Sequence, residues 1–160
     1  MGVRIMGDVT RLNRALRILA ATRLDRVAAS VGEALVSSTI QRFNEQKGPD
    51  GRPWEPLAAA TVAPRKKDFK KSGGLRKQAL ERMEKRKILI QSGRLRNSIT
   101  ARRDGSKVAV GTNLVYAAIH QFGGLAGRGR GVRIPARPYL GISREDEVEI
   151  RRILKEALGG

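Results

Sequence analysis

The chain contains no cysteine, which excludes disulfides, thiol catalysis and thiolate metal sites together. It has a single histidine, His120, with no carboxylate near it in sequence to orient the imidazole for general acid-base work. A metal centre needs several ligands, so only an oxygen-ligand site for a hard cation would remain, and the acids are scattered or sit at helix starts. Aromatics are scarce, at 4% of 160 residues against 40% hydrophobic overall, so the core must be mostly aliphatic. No apolar run approaches the length of a membrane span, and the N-terminus lacks the charged-then-apolar pattern of a secretory leader. The expectation is a soluble chain, cytoplasmic when made, without membrane contact.

Other chemistry is missing as well. Ser92-Gly93-Arg94 lacks the G-x-S-x-G spacing of a nucleophile elbow. Gly127-Arg128-Gly129-Arg130-Gly131 lacks the Lys-Ser/Thr ending of a phosphate loop, and reads either as an RGG-like polyanion contact or as a flexible surface loop. Glu145 and Asp146 are adjacent on a helix and so point different ways, which suits helix capping better than paired-carboxylate catalysis. No enzyme, cofactor or small-molecule substrate is expected.

Acidic residues are the other shortage. Fifteen Asp and Glu stand against 33 Lys and Arg, giving a net charge of +18. Such an excess attracts polyanions or acidic proteins, though a solvated basic surface with no partner gives the same count. The cations that no core requires are Arg65, Lys66, Lys67, Lys70 and Lys71, with Arg128 and Arg130, all in stretches poor in large apolar residues. These are the candidates for contact with DNA phosphate or acidic neighbours.

At this length one domain is expected over residues 1–160. Leu12, Leu16 and Leu19 predict a short amphipathic helix over 8–20. Thr22 and Asp25 resemble a capping box opening a second, long helix to about Gln46. Its Leu24, Val27, Val31 and Leu35 form one stripe and Val36, Ile40 and Phe43 another, wide enough for burial on more than one side. The Lys47 to Pro53 turn cluster stops it, and Trp54 then reads as a plug pinning that loop to the helix. Residues 64–87 are basic and breaker-rich, a mobile segment with partial helix from Leu75. Ile88 to Ile90 form an apolar anchor, Ser92 caps a short helix, and Ile99 to Val110 read as a β-hairpin with one buried face. Ser143 and Asp146 offer a capping box for a C-terminal helix whose buried stripe is Ile150, Leu154 and Leu158, with Gly159 as the stop. The predicted class is α+β: a small, mainly antiparallel sheet or hairpin packed against a long N-terminal helix and a C-terminal helix.

The stretch from Gly111 to Gly141 organises the rest. Thr112 or Asn113 can cap a helix with Val115, Ile119 and Phe122 on one face, and Gly123-Gly124 can end it. A Gly/Arg loop at 125–132 follows, expected to be mobile. Pro135 and Pro138 then force an extended strap, packed through Ile134, Tyr139 and Leu140. Tyr116, His120, Phe122, Ile134, Pro135, Arg137, Pro138 and Tyr139 form the expected docking corner, a corner rather than a pocket, with His120 making a buried or interfacial hydrogen bond.

Five pieces of this sequence, YAAIHQFGG (116–124), IPARPYLG (134–141), DGRPWEPL (50–57), IQSGRLRNSI (90–99) and VGTN (110–113), occur in the order of a known family. Over about residues 25–158 the chain resembles the virion morphogenesis (tail completion) family of Mu-like and P2-like tailed phages and prophages. The resemblance implies a structural protein at the head–tail junction in the virion, assembling as a homo-oligomeric ring with neighbouring neck and tail proteins. The rival reading is a stand-alone basic nucleic-acid-binding protein. That would need a recognition module, and no helix-turn-helix or zinc finger is evident.

Overall fold

The computed structural model describes residues 9–84, 86–104, 107–127, 129 and 131–158; within 9–22 only the Arg14 side chain is described. Helix α1 runs unbroken over Val9–Glu45, so the two helices expected from Thr22-Arg23-Leu24-Asp25 are one. Ala20-Ala21 brings no Gly or Pro to stop a helix, and a capping pair needs a preceding break before its amides are orphaned. The Leu12, Leu16 and Leu19 stripe lies outside the described side chains.

What α1 buries is not its leucines. Leu24 is 51% exposed, Val27, Val31, Leu35 and Val36 are half-buried, and the buried positions are Ala28, Gly32, Thr39, Arg42 and Phe43. The helix is flanked on two sides, by α6 (Arg144–Leu158) and by the hairpin of β1 (Thr100–Asp104) and β2 (Lys107–Gly111). Small residues let both neighbours come close. A Cβ placed on Gly32 would stand 3.0 Å from Ala101 Cβ and 3.3 Å from Val108 Cγ1, so this glycine sets the helix–hairpin spacing.

The β1–β2 hairpin is antiparallel, with Ala101 opposite Val110 and Arg103 opposite Val108. The buried face expected of it is half present: Val108 and Val110 are half-buried and Ile99 is buried, while every residue of β1 is exposed. A second hairpin, β3 (Gly124–Ala126) with β4 (Val132–Ile134), spans the Gly/Arg loop. Among the described residues there are thus two separate two-stranded sheets, with α4 (Arg94–Asn97) just before the first in the chain and α5 (Ala117–Phe122) between the two. The α+β class holds.

Helix α6 opens as its sequence indicates. Ser143 Oγ accepts from the Asp146 amide at 3.2 Å and Asp146 Oδ2 accepts from the Ser143 amide at 2.8 Å, a reciprocal capping box. Its inner stripe is shifted from the expected one: Asp146, Ile150, Ile153 and Ala157 turn inward, Leu154 is 41% exposed, and Leu158 and Gly159 fall outside what is described.

Residues 64–87 carry their own structure. A 3-10 turn (Lys66–Asp68) is followed by a bridge between Phe69 and Leu75 and by α3 (Lys77–Glu84). Asp68 is buried between them; it accepts from the Arg65 amide at 2.8 Å and from Arg82 at 2.7 Å, which hold its carboxyl below the usual range. A further short helix, α2, covers Ala59–Val62.

Candidate docking site

Three aromatics sit at the centre of the core, with Leu95, Ile99 and Ala117 buried beside them and further aliphatic side chains packed around. Phe43 is fully buried, with the Trp54 ring edge-on at 5.4 Å and Tyr139 at 5.2 Å. Trp54 Nε1 donates to the Pro138 carbonyl at 2.7 Å, so the indole pins the loop to α1 and also holds the proline strap.

Three more side chains bolt that strap. Gln121, on α5, accepts from the amides of Tyr139 and Leu140, both at 3.0 Å, and donates to the Leu140 carbonyl at 3.0 Å. Arg42 donates to the carbonyls of Tyr139 (3.2 Å) and Gly141 (2.8 Å), to Ser38 Oγ and to the Asp146 carboxylate. Burial alone would raise the Asp146 carboxyl, but the Ser143 amide, the Ser38 hydroxyl and the Arg42 charge hold it below its usual range. Arg137 donates from its backbone to the His120 carbonyl (2.7 Å) and from its guanidinium to the carbonyls of Glu55 (2.8 Å) and Pro56 (2.9 Å).

The strap is therefore extended and packed through Tyr139, and two residues assigned to the docking corner are interior. Tyr139 and Arg137 are 1% and 5% exposed, and the Tyr139 hydroxyl donates to the Ala117 carbonyl. The turn into α5 explains the remaining differences. Thr112 Oγ1 accepts from the Leu114 amide at 3.2 Å, capping a turn and not the helix, which starts only at Ala117. Val115 consequently lies outside the helical phase and is 97% exposed, as is 79% of Phe122, while Ala117 is buried. Gly123, at φ +73°, ends the helix; a Cβ there would sit 2.9 Å from the Ala136 amide nitrogen.

Tyr116, His120, Ile134, Pro135 and Arg137 come together on the wall of a cavity of about 400 Å³. Phe122 stands out in solvent and Pro138 is exposed on the strap. His120 Nδ1 is buried with no hydrogen-bond partner among the described residues, so the bond expected of this side chain is not made at that atom. Burial and the neighbouring Arg137 charge push its pKa down, leaving the imidazole neutral around pH 7.

The five cations at 65–71 are exposed; Arg65 and Lys67 line a second cavity of about 510 Å³ that shares Arg86, Lys87 and Gln91 with the first. Arg128 and Arg130 lie outside the described residues. Among the described residues no group of His, Asp and Glu is placed to hold a metal, and no helix is long and apolar enough to cross a membrane. Sequence reasoning missed Arg42 and Gln121. Each stands beside a phenylalanine but directly after another polar residue, Gln41 and His120, so neither is marked out locally.

A model of the phage virion morphogenesis family matches residues 7–159. This chain belongs to that family. Among its relatives, putative capsid assembly protein G of Escherichia phage Mu is 36% identical over 148 residues, covering 89% of this chain and 85% of the relative. Tail completion protein S of Escherichia phage P2 is 27% identical over 147 residues, covering 90% of each. Mu-like prophage FluMu G protein 2 of Haemophilus influenzae is 53% identical over 62 residues, only 39% of this chain and 45% of that one. No solved structure matches. Membership makes this a structural protein of virion assembly, associated with phage particles and their other virion proteins. In this virion morphogenesis protein the bolted strap is the frame on which the exposed corner is built.

Proposed function

We propose that this virion morphogenesis protein completes the phage particle at the head–tail junction. It acts as a single domain that assembles into a homo-oligomeric ring and seats neighbouring neck and tail proteins, without catalysis. The observation that carries this reading is the corner itself. Val115, Tyr116 and Phe122 are 97%, 41% and 79% exposed, yet they flank a backbone fixed by Gln121, Arg137 and Tyr139. Large apolar side chains held rigidly in water cost little further entropy on docking, which is what an assembly surface needs. The exposed Arg65, Lys66, Lys67, Lys70 and Lys71 then meet DNA or an acidic neighbour.

Complementation of a phage lacking this gene tests the reading. Phe122→Asp and Val115→Asp, both at solvent positions, are expected to leave the protein folded and to accumulate unjoined heads and tails in micrographs. Wild-type virion yields with both variants would overturn it. Imaging of the purified protein reports on the ring. The rival, a free nucleic-acid binder, is favoured only by the exposed lysines. It requires DNA binding at physiological salt in the absence of any other phage protein.

A further inference from the structure

The cavity under the strap and the cavity beside the 3-10 turn share a wall. Arg86, Lys87 and Gln91 line both, so together they form one groove from the 3-10 turn to the β3–β4 hairpin. Its charge is one-sided. The cavity under the strap is lined by Arg86, Lys87, Arg133 and Arg137 and by no carboxylate, and in the other cavity the sole acid, Asp68, is already held by Arg82 and the Arg65 amide. Arg137 is consumed by the carbonyls of Glu55 and Pro56, Arg86 and Lys87 each make one bond, to the Thr61 and Asn44 carbonyls, and keep further donors, and Arg133 is exposed and makes no hydrogen bond or ion pair among the described residues. The floor is different in kind. Leu57, Leu89, Leu95, Tyr116, Ile134 and Pro135 give it an apolar bottom deep enough for a side chain.

Resting on the docking role proposed above, we infer that this groove takes an extended acidic segment of a partner protein, carboxylates against Arg86, Lys87 and Arg133 and an apolar side chain on the floor between them. Charge complementarity selects the occupant. A second copy of a chain at +18 brings more of the same charge, and of its fifteen acids five are on α6, where Glu147, Glu149 and Glu156 already pair with Arg151 and Arg152. Nucleic acid supplies the charge but presents its phosphates on a convex backbone, and the apolar floor behind the cations would stay wet. A strand-like peptide meets both demands, because alternate side chains point to opposite sides.

The test uses the full chain and fluorescence anisotropy with a labelled peptide of alternating glutamate and leucine. Controls are the glutamate–serine counterpart and single-stranded oligothymidylate of matched charge. The expected result is saturable binding of the first peptide, weaker binding of the serine peptide, and a loss of about tenfold or more in the double variant Lys87→Gln, Arg133→Gln with thermal stability unchanged. Leucine-independent binding, with oligothymidylate losing affinity in parallel, would overturn the inference in favour of a phosphate site. Self-association by sedimentation that the double variant abolishes would overturn it in favour of a second copy. No peptide binding would overturn it outright. The same double variant in the complementation assay separates the two readings: normal virion completion despite its lost peptide binding sinks this inference while the docking role stands, and normal completion by both Phe122→Asp and Val115→Asp sinks the docking role independently.

Discussion

Residues 135–141 and residues 64–75 are both rich in breakers and both carry basic residues, one in the first and five in the second, and the protein uses them in opposite ways. In the strap, Arg137 is buried and its guanidinium satisfies two carbonyls, while Arg42 reaches across from α1 to satisfy two more and pair with Asp146. In the other stretch Lys66, Lys67, Lys70 and Lys71 face water, and the one buried polar side chain is the acid, Asp68. The difference lies in what surrounds the cation. A guanidinium offers a planar fork of donors that can be matched by fixed carbonyls, which makes burial tolerable, whereas a lysine ammonium is more strongly hydrated and stays outside. One region spends its charge on stability; the other leaves it available for partners.

Breaking the buried side of this contrast has the largest expected effect. Arg42→Leu leaves Asp146 uncompensated beside orphaned carbonyls and is expected to cost about 4 kcal/mol, read as a fall in the urea midpoint. A shift under a quarter of that would mean the strap holds without its clamp. Trp54→Ala removes the indole packed on Phe43 and its bond to Pro138, with an expected loss of about 3 kcal/mol in the same measurement.

Gly123→Ala comes next. A left-handed φ and a 2.9 Å approach to the Ala136 nitrogen predict a loss of about 2 kcal/mol, and relaxation of the strap would show as faster amide exchange at Arg137 and Tyr139.

Acid sharpens the contrast more gently. A carboxyl depressed in the folded state contributes stability above its unfolded pKa of about 3.9, and loses it as pH falls through the lower folded value. His120, also depressed, stays neutral when folded, so stability declines as pH drops below about 6.5, where the unfolded imidazole binds its proton first. Thermal melts of His120→Gln are expected to lose the slope just below pH 6.5 and keep the one below pH 4. Retention of the upper slope would place its origin elsewhere.

The exposed side gives the smallest stability change. Glutamine at Lys66, Lys67, Lys70 and Lys71 together is expected to move stability by no more than about 0.5 kcal/mol while reducing salt-dependent binding to DNA or acidic proteins. A large fall in the melting temperature would show that these lysines belong to the fold.

Much of this contrast is legible locally. The α6 capping box, the β1–β2 hairpin, the Gly123 stop and the extended proline segment follow from residues within a few positions of each other, since caps, turns and proline φ angles are short-range effects. The Trp54 plug followed from scarcity, as a lone indole between prolines has large area and little freedom. Missed were the unbroken course of α1 through Thr22, which the lack of Gly or Pro before it allows, the phase of α5, which the Thr112 turn sets, and the second hairpin across the Gly/Arg loop.

The sequence by itself determined the class of the fold, the family and the overall charge, because periodicity, motif order and composition are properties of the chain alone. Only the tertiary structure decided which cations are structural. Arg42 and Asp146 are 104 positions apart, Arg137 and Glu55 82 apart, and Lys87 meets Arg133 across a groove that no window of sequence contains. Whether a charge is buried or free depends on the carbonyls and carboxylates that folding brings to it, and those come from the far ends of the chain.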